Sequence, residues 1–196
     1  SQLQRSPGVF FDENIHPNGT KLFMARIIPF RGSWVDFTTD INDCLFAIID
    51  RRRKFPVTML LRALGYSTNR DIFEAFGSIK SYGLSGKKIE GSFGHTLVED
   101  IVDELTGEIF YEGGVEVNQE VVDTLKEAGI KSIEVVDGNK DFSAMLLLNT
   151  MGKDPTQNTE QALSVVYQLL RSGDPPNLKP LKNSLKKFSL VLKNMI

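Results

Sequence analysis

Extended segments dominate the first 50 residues of the chain. Residues 9–11 and 44–49 are apolar runs, 22–28 is an extended segment that is apolar except for Arg26, and a strong turn sequence occupies 17–19. From Gly32 to Thr38, large apolar residues alternate with small or polar ones, which is typical of a half-buried strand. This pattern predicts a β meander with tight connections.

The spacing of apolar residues changes to that of a helix after residue 55. Pro56 suits a first helical turn, because a backbone N–H at that position has no partner within the helix and its absence costs nothing. Gly65 ends the apolar stripe that follows. A second helix is expected between the capping residues 67–69 and Gly77. The meander and this helical pair form the first predicted part, residues 1–80.

A second part is predicted after a linker. Residues 81–94 are glycine-rich and weakly patterned, whereas 95–177 again show regular spacing, with Asn118 as a helix cap. The predicted fold class is α+β, in which an N-terminal β meander with a helical pair is followed by a small β-β-α-β module and a long C-terminal helix. The apolar face of that last helix is predicted at Ala162, Leu163, Val166, Tyr167 and Leu170. A basic tail occupies 178–196.

The composition is that of an ordinary globular protein, with 41% hydrophobic residues, 24% charged residues and a net charge of −2. So small a net charge excludes attraction of nucleic acid to the whole surface, and any such binding requires a local patch. The single Cys44 cannot form an internal disulfide and is expected to be a structural thiol, as in a reducing compartment. No apolar run approaches the length of a membrane span, so no membrane partner is expected.

Four consecutive cations, Arg51 to Lys54, follow Asp50 between a predicted strand and a predicted helix. Their mutual repulsion opposes holding them between two ordered elements. An external polyanion would favour that arrangement, because each neutralised phosphate releases condensed counterions. The alternative is a solvated rim with carboxylates nearby, which is what a charge run usually is.

No catalytic constellation is evident in the sequence. His16 and His95 have no Cys or carboxylate at ligand spacing, and both are expected at the surface. An aspartate triad that could hold catalytic Mg²⁺ is not evident either. The chain alone is therefore predicted to be inactive as an enzyme, with no catalytic residue, no metal and no cofactor of its own.

Several segments, taken together and in order, resemble the β subunit of bacterial RNA polymerase. They are 1–11, 25–34, 50–58, 61–65, 99–103, 106–108, 125–130, 154–156 and 173–176. The resemblance implies the lobe region of that subunit, on the downstream side of the cleft, and a piece of a longer chain. It also implies a whole enzyme that carries out DNA-directed RNA synthesis, with Mg²⁺ bound by another subunit.

The resemblance further implies roles for individual residues. In this family the residues at Arg5, Trp34 and Asp50 face the non-template DNA strand near the start site. The Trp is understood to stack on an unpaired base and the Asp to hydrogen-bond a flipped guanine, while Gln2 lies where the family borders the rifamycin pocket. Phosphate contacts would come from the basic run, which comprises Arg51, Arg52, Arg53 and Lys54.

Each of these roles has a structural alternative. Trp34 is the only Trp of the chain, and core packing accounts for such a residue more often than base stacking. Asp50 would otherwise pair with a neighbouring arginine, and Arg5 would tether the N-terminal segment. For Arg51 and Arg53, phosphate contact and a solvated rim are equally supported.

The implied partners are DNA and the polymerase subunits β′, α and sigma, in a cytoplasmic, nucleoid-associated location. The rival interpretation is a non-enzymatic protein-interaction module whose basic run is incidental. The resemblance ends after Asn177, and for the tail at 178–196 we hypothesise a frameshift or a truncated gene fragment. The nucleotide sequence tests that hypothesis, since a shifted frame should restore the family's next segment.

Overall fold

The computed structural model describes residues 6–103 and 106–170 together with Asn183. The predictions for Gln2 and Arg5 lie outside the described residues, as does nearly all of the tail. Among the residues described, no helix combines the length and apolar character that crossing a membrane requires.

Two compact units divide the chain, and the second interrupts the first. Residues 1–68 and 149–196 form the first unit, and residues 69–148 form the second. The division differs from the predicted parts 1–80 and 95–177, because the last long helix belongs with the N-terminal meander. The spacing of apolar residues predicts that one face of a helix is buried, but it does not identify the element that packs against that face.

Five antiparallel strands form the sheet of the first unit in chain order. They are β1 (Gly8–Ile15), β2 (Lys21–Ile28), β3 (Val35–Thr39), β4 (Leu45–Ile49) and β5 (Phe55–Pro56). The predicted meander and the α+β class are therefore confirmed. One boundary differs from the prediction, since β3 begins at Val35 rather than at Gly32, whose φ of 111° is a left-handed value that favours glycine. Trp34 consequently lies in the β2–β3 loop.

The described residues form the following α-helices. They are α1 (Val57–Leu64), α2 (Asn69–Ala75), α3 (Gln119–Glu127), α4 (Phe142–Met151) and α5 (Thr159–Leu170). Helix α1 begins after Pro56 and ends at Gly65, whose φ is 119°, as the sequence predicts. Helix α4 was not predicted, because nearly all of its middle is apolar and shows no one-sided spacing.

Helices α1 and α5 build the core of the first unit with strands β4 and β5. Its buried residues are Ala47, Phe55, Val57, Met59, Leu60, Ala63, Ala162, Leu163 and Val166. Four residues of the predicted apolar face of α5 are thus buried and the fifth, Leu170, is half-buried. Cys44 is buried and forms no disulfide. This packing fixes the end of β4 and the start of β5, between which the basic run lies.

The second unit contains a sheet and a separate ribbon. The strands are β6 (Ile79–Gly83), β7 (Thr96–Leu97), β8 (Ile101–Val102), β9 (Ile109–Tyr111) and β10 (Ser132–Val136). Strand β10 lies between β6 and β7, and β8 pairs with β9. The segment predicted as a linker holds most of β6 and a 3₁₀ helix at Lys87–Ser92, and it buries Leu84 and Ile89 against α3. Two buried apolar residues in a segment with four glycines are too few to show a helical or strand spacing in the sequence.

His95 is buried rather than at the surface, which corrects its predicted position. Its Nε2 lies 3.3 Å from Oδ2 of Asp137, and Nζ of Lys80 lies 3.4 Å from the same oxygen. Burial of the Asp137 carboxyl opposes ionisation, but the backbone N–H of Lys140 together with Lys80 and His95 holds the pKa of Asp137 below its ordinary value. The hydroxyl of Ser78 donates to Asp141 at 2.7 Å and is the main reason why the pKa of Asp141 is lowered as well.

We expect these carboxylates to make the second unit sensitive to acid. Because their pKa values are lower in the folded state, their stabilisation is complete above the unfolded-state pKa of about 3.9 and is lost as the pH falls through the folded-state pKa. In Ser78→Ala the folded-state pKa of Asp141 should rise towards its unfolded-state value, so the variant should be less stable at pH 7 and should lose less stability between pH 7 and pH 3. Urea unfolding between pH 7 and pH 3 measures this, with the exposed Ser85→Ala as control. Coincident acid profiles for Ser78→Ala and the control would contradict the assignment.

Candidate nucleic-acid interface

The β2–β3 loop and the β4–β5 turn lie next to each other at one end of the first unit's sheet. Val35, the first residue of β3, pairs with both Ile27 and Ile49. The backbone N–H of Asp50 donates to the carbonyl oxygen of Trp34 at 3.0 Å. The sheet register therefore brings together Trp34 and Asp50, which are 16 positions apart in the sequence.

The β4–β5 turn has an unusual backbone. Asp50 and Arg51 have φ values of 54° and 55°, and the N–H of Arg52 donates to the carbonyl oxygen of Ile49 at 3.1 Å. Two left-handed central residues match the twist of a hairpin, although positions of this kind usually carry glycine or asparagine. A left-handed non-glycine residue costs about 1–3 kcal/mol and tends to occur at functional sites. The turn therefore carries two adjacent non-glycine side chains in a strained backbone conformation, which Asp43 in another turn also adopts.

Two guanidinium groups contact the half-buried ring of Trp34. The central guanidinium carbon lies 5.1 Å from the ring centroid for Arg26 and 5.3 Å for Arg51. Both distances fall within the range of cation–π interactions. The indole is therefore neither part of the core nor fully open to solvent, and cations surround it.

Arg26 is fixed in place by Asp36, its partner across β2 and β3. Its Nε donates to Oδ1 at 2.7 Å and its Nη2 donates to Oδ2 at 2.8 Å, which makes the pair bidentate. The hydrogen bonds that Arg26 donates to Asp36 raise the pKa of Arg26 above its ordinary value. This role of Arg26 was not predicted, because it depends on the register between β2 and β3, which no local sequence pattern contains.

The residues of the turn remain available to an external partner. Asp50 and the four cations that follow it are all exposed, and none of them forms an ion pair with another described residue. The alternative in which Asp50 pairs with a neighbouring arginine is thus not observed. Nζ of Lys54 lies 4.6 Å from the ring centroid of Phe46, so this cation also lies over an aromatic ring. The structure does not describe Arg5 or Gln2.

Phe30 is a second aromatic residue of the β2–β3 loop, and it is 93% exposed. Exposed Arg31 follows it, and Trp34 lies four residues after Phe30. Sequence analysis assigned Phe30 no role. The signal available in the sequence was a large aromatic residue between Pro29 and Arg31, at the break between two extended segments.

The charges of the two units are opposite in sign. The first unit contains 16 Lys and Arg residues against 9 Asp and Glu, and the second contains 7 against 16. The net charge of the chain, −2, is therefore the sum of +7 for the first unit and −9 for the second, and seven of the first unit's cations lie outside the described residues. Within the described part of the chain, no group of three or more His, Cys, Asp or Glu side chains is arranged to hold a metal ion. The exposed basic run of the first unit is a local patch of the kind that binding to a polyanion requires.

Comparison with known proteins defines the class. Residues 5–89, which hold the whole meander and the site, match the family model for RNA polymerase Rpb2, domain 2. The DNA-directed RNA polymerase subunit beta of Porphyromonas cangingivalis is 42% identical over 193 residues, covering 89% of this chain and 15% of that protein. The corresponding subunit of Christiangramia forsetii is 38% identical over 205 residues, covering 96% of this chain and 16% of that protein.

A similar match to the same subunit of Bacteroides thetaiotaomicron has 41% identity over 197 residues. The chain spans about 15% of the length of these relatives. It belongs to the family of bacterial RNA polymerase β subunits.

Proposed function

We propose that this chain is the lobe segment of an RNA polymerase β subunit and that it positions the non-template DNA strand near the start site. The whole protein would carry out DNA-templated RNA synthesis in the cytoplasm, in association with the nucleoid. Its Mg²⁺ would be bound by the β′ subunit, and α, β′ and sigma would be its protein partners. The contribution of this segment would be to bind DNA in the cleft.

The observation that carries the proposal is the grouping of Trp34, Asp50 and Arg51 at one end of the sheet. An aromatic ring binds any base by stacking, and such contacts are worth about 1–3 kcal/mol per base. The carboxylate of Asp50 is exposed and can accept hydrogen bonds from the N–H groups on the edge of an unpaired guanine. The adjacent cations can contact phosphates and thereby set the position of the strand.

A protein-interaction module is the second candidate, and strand β1 favours it. Phe11 is 80% exposed and Ile15 is 69% exposed, and both lie on an edge strand of the first unit's sheet. An apolar edge of this kind is more suited to a protein surface than to DNA. The two functions use different parts of the unit and are separable by mutation.

Binding to a forked DNA with an exposed non-template strand tests the proposal. Replacing Arg51, Arg52 and Arg53 together by Ala should weaken binding and flatten the dependence of log K on log salt by about 2, which corresponds to three single-strand phosphate contacts. Fluorescence anisotropy of a labelled fork, measured from about 50 to about 200 mM salt, gives both the affinity and the salt slope.

The control removes the same number of positive charges from the other unit. Lys88, Lys126 and Lys131 are exposed residues of the second unit, and their replacement by Ala should leave the salt dependence as in the wild type. Equal binding by the arginine variant and the wild type would favour the protein-interaction module instead.

A further inference from the structure

The two cations on the ring of Trp34 are held very differently. Arg26 forms two hydrogen bonds to Asp36, at 2.7 and 2.8 Å, and cannot move without breaking both. Arg51 is exposed, and the ring contact is the one interaction of its side chain that the structure shows among the described residues. The ring therefore has one fixed cationic neighbour and one that can leave.

A stacked base would compete with Arg51 for space on the indole. The guanidinium carbon of Arg51 lies 5.3 Å from the ring centroid, within the layer that a stacked aromatic group occupies. The backbone of the turn stays attached to the loop through the hydrogen bond between Asp50 and Trp34. The side chain of Arg51 can thus leave the ring while its backbone remains beside the site.

We propose that Arg51 is a displaceable cover on the ring of Trp34 and that Arg26, held by Asp36, is the positioning residue that fixes the ring. An unpaired base displaces the guanidinium of Arg51 from the indole, and the displaced guanidinium then contacts the phosphate next to that base. This inference rests on the proposed function. It makes the site selective for a base and a phosphate that arrive together, because a base alone has to displace Arg51 without the compensating ion pair.

The inference predicts effects of opposite sign for two matched ligands. The probes are octathymidylate with the natural phosphodiester backbone and the same sequence with an uncharged methylphosphonate backbone. Arg51→Ala should bind the uncharged strand at least about 3-fold more tightly than the wild type, because the competitor for the indole is gone. The same variant should bind the natural strand more weakly, with a salt slope smaller by about 0.7.

The fluorescence of Trp34 reports binding directly, because it is the only Trp in the chain. Arg52→Ala is the matched control within the turn, and it should weaken binding of the natural strand without changing binding of the uncharged one. Arg26→Lys keeps the charge but not the bidentate geometry, so it should weaken both ligands and leave the salt slope unchanged. Circular dichroism verifies that each variant is folded.

The outcomes separate this inference from the proposed function. Suppose that the wild type binds the natural strand but that Arg51→Ala binds the uncharged strand more weakly than the wild type or equally well. Arg51 then does not cover the ring of Trp34, although the DNA site exists. If the wild type binds neither strand, the proposed function and the inference both fail. Tighter binding of the uncharged strand together with weaker binding of the natural strand supports both.

Discussion

Replacement of Asp154 by Ala is expected to lower the free energy of unfolding by about 3–5 kcal/mol, the largest effect of any substitution considered for the first unit. Asp154 and Arg62 form a buried ion pair, with side chains 1% and 5% exposed and a distance of 3.4 Å between Nε and Oδ2. Removing the carboxylate takes away the ion pair that Arg62 forms with Asp154 in the interior. Breaking such a pair costs far more than a lost surface contact.

The carboxylate of Asp154 is also the centre of a hydrogen-bond network. The hydroxyl of Thr58 donates to its Oδ2 at 2.6 Å, and the backbone N–H and the hydroxyl of Thr156 donate to its Oδ1 at 2.8 and 2.6 Å. Arg62 donates in addition to the carbonyl oxygen of Ser67 at 2.6 Å. The network ties α1 to the segment before α5, so its loss should loosen the packing that supports the basic turn.

Urea unfolding of Asp154→Ala beside Glu13→Ala measures this effect. Glu13 pairs with Lys21 at 2.8 Å on the surface, where both side chains are about half exposed or more, so its loss should leave the unfolding midpoint close to that of the wild type. A loss of less than about 1 kcal/mol for Asp154→Ala would mean that water already solvates the pair, contrary to the observed burial.

Replacement of Trp34 by Ala is expected to weaken binding of forked DNA by about 5- to 150-fold. This range corresponds to the loss of one base-stacking contact worth about 1–3 kcal/mol. Because no charge is removed, the salt dependence of binding should stay as in the wild type. The combination of a large loss with an unchanged salt slope distinguishes stacking from phosphate contact.

Trp34→Phe is the matched control for this substitution. It keeps an aromatic face over which Arg26 can lie, so it should retain most of the affinity that Trp34→Ala loses. Anisotropy of the labelled fork measures all three proteins. Equal losses for Phe and Ala would indicate that Trp34 supports the loop structurally and does not stack on a base.

Much of the first unit's fold follows from its sequence because the signals there are local. The turn at 17–19, the residues Pro56 and Gly65 that bound α1, and the alternation in β3 all act within a few positions. The elements that were missed depend on contacts between distant positions. The apolar α4 shows no period, and the face of α5 does not reveal that α1 covers it.

The candidate site divides in the same way. The basic run and Trp34 are visible as unusual residues, and the family resemblance suggested their roles. The ring contacts of Arg26 and Arg51 follow from the pairing of β2 with β3 and of β3 with β4, and no local pattern contains that register. The buried ion pair at Asp154 lies in one of the segments that carry the resemblance, but its partner Arg62 is 92 positions away.

The most direct measurement is the fluorescence of Trp34 in the wild-type chain on addition of a forked DNA and of a fully paired duplex of the same sequence. In a paired duplex the bases remain stacked on each other and cannot reach the indole. We expect the fork to quench the Trp34 emission at low salt and the paired duplex to leave it nearly unchanged even when it binds. Equal quenching by the two DNAs, or none by either, would contradict an interface for an opened strand at this end of the sheet.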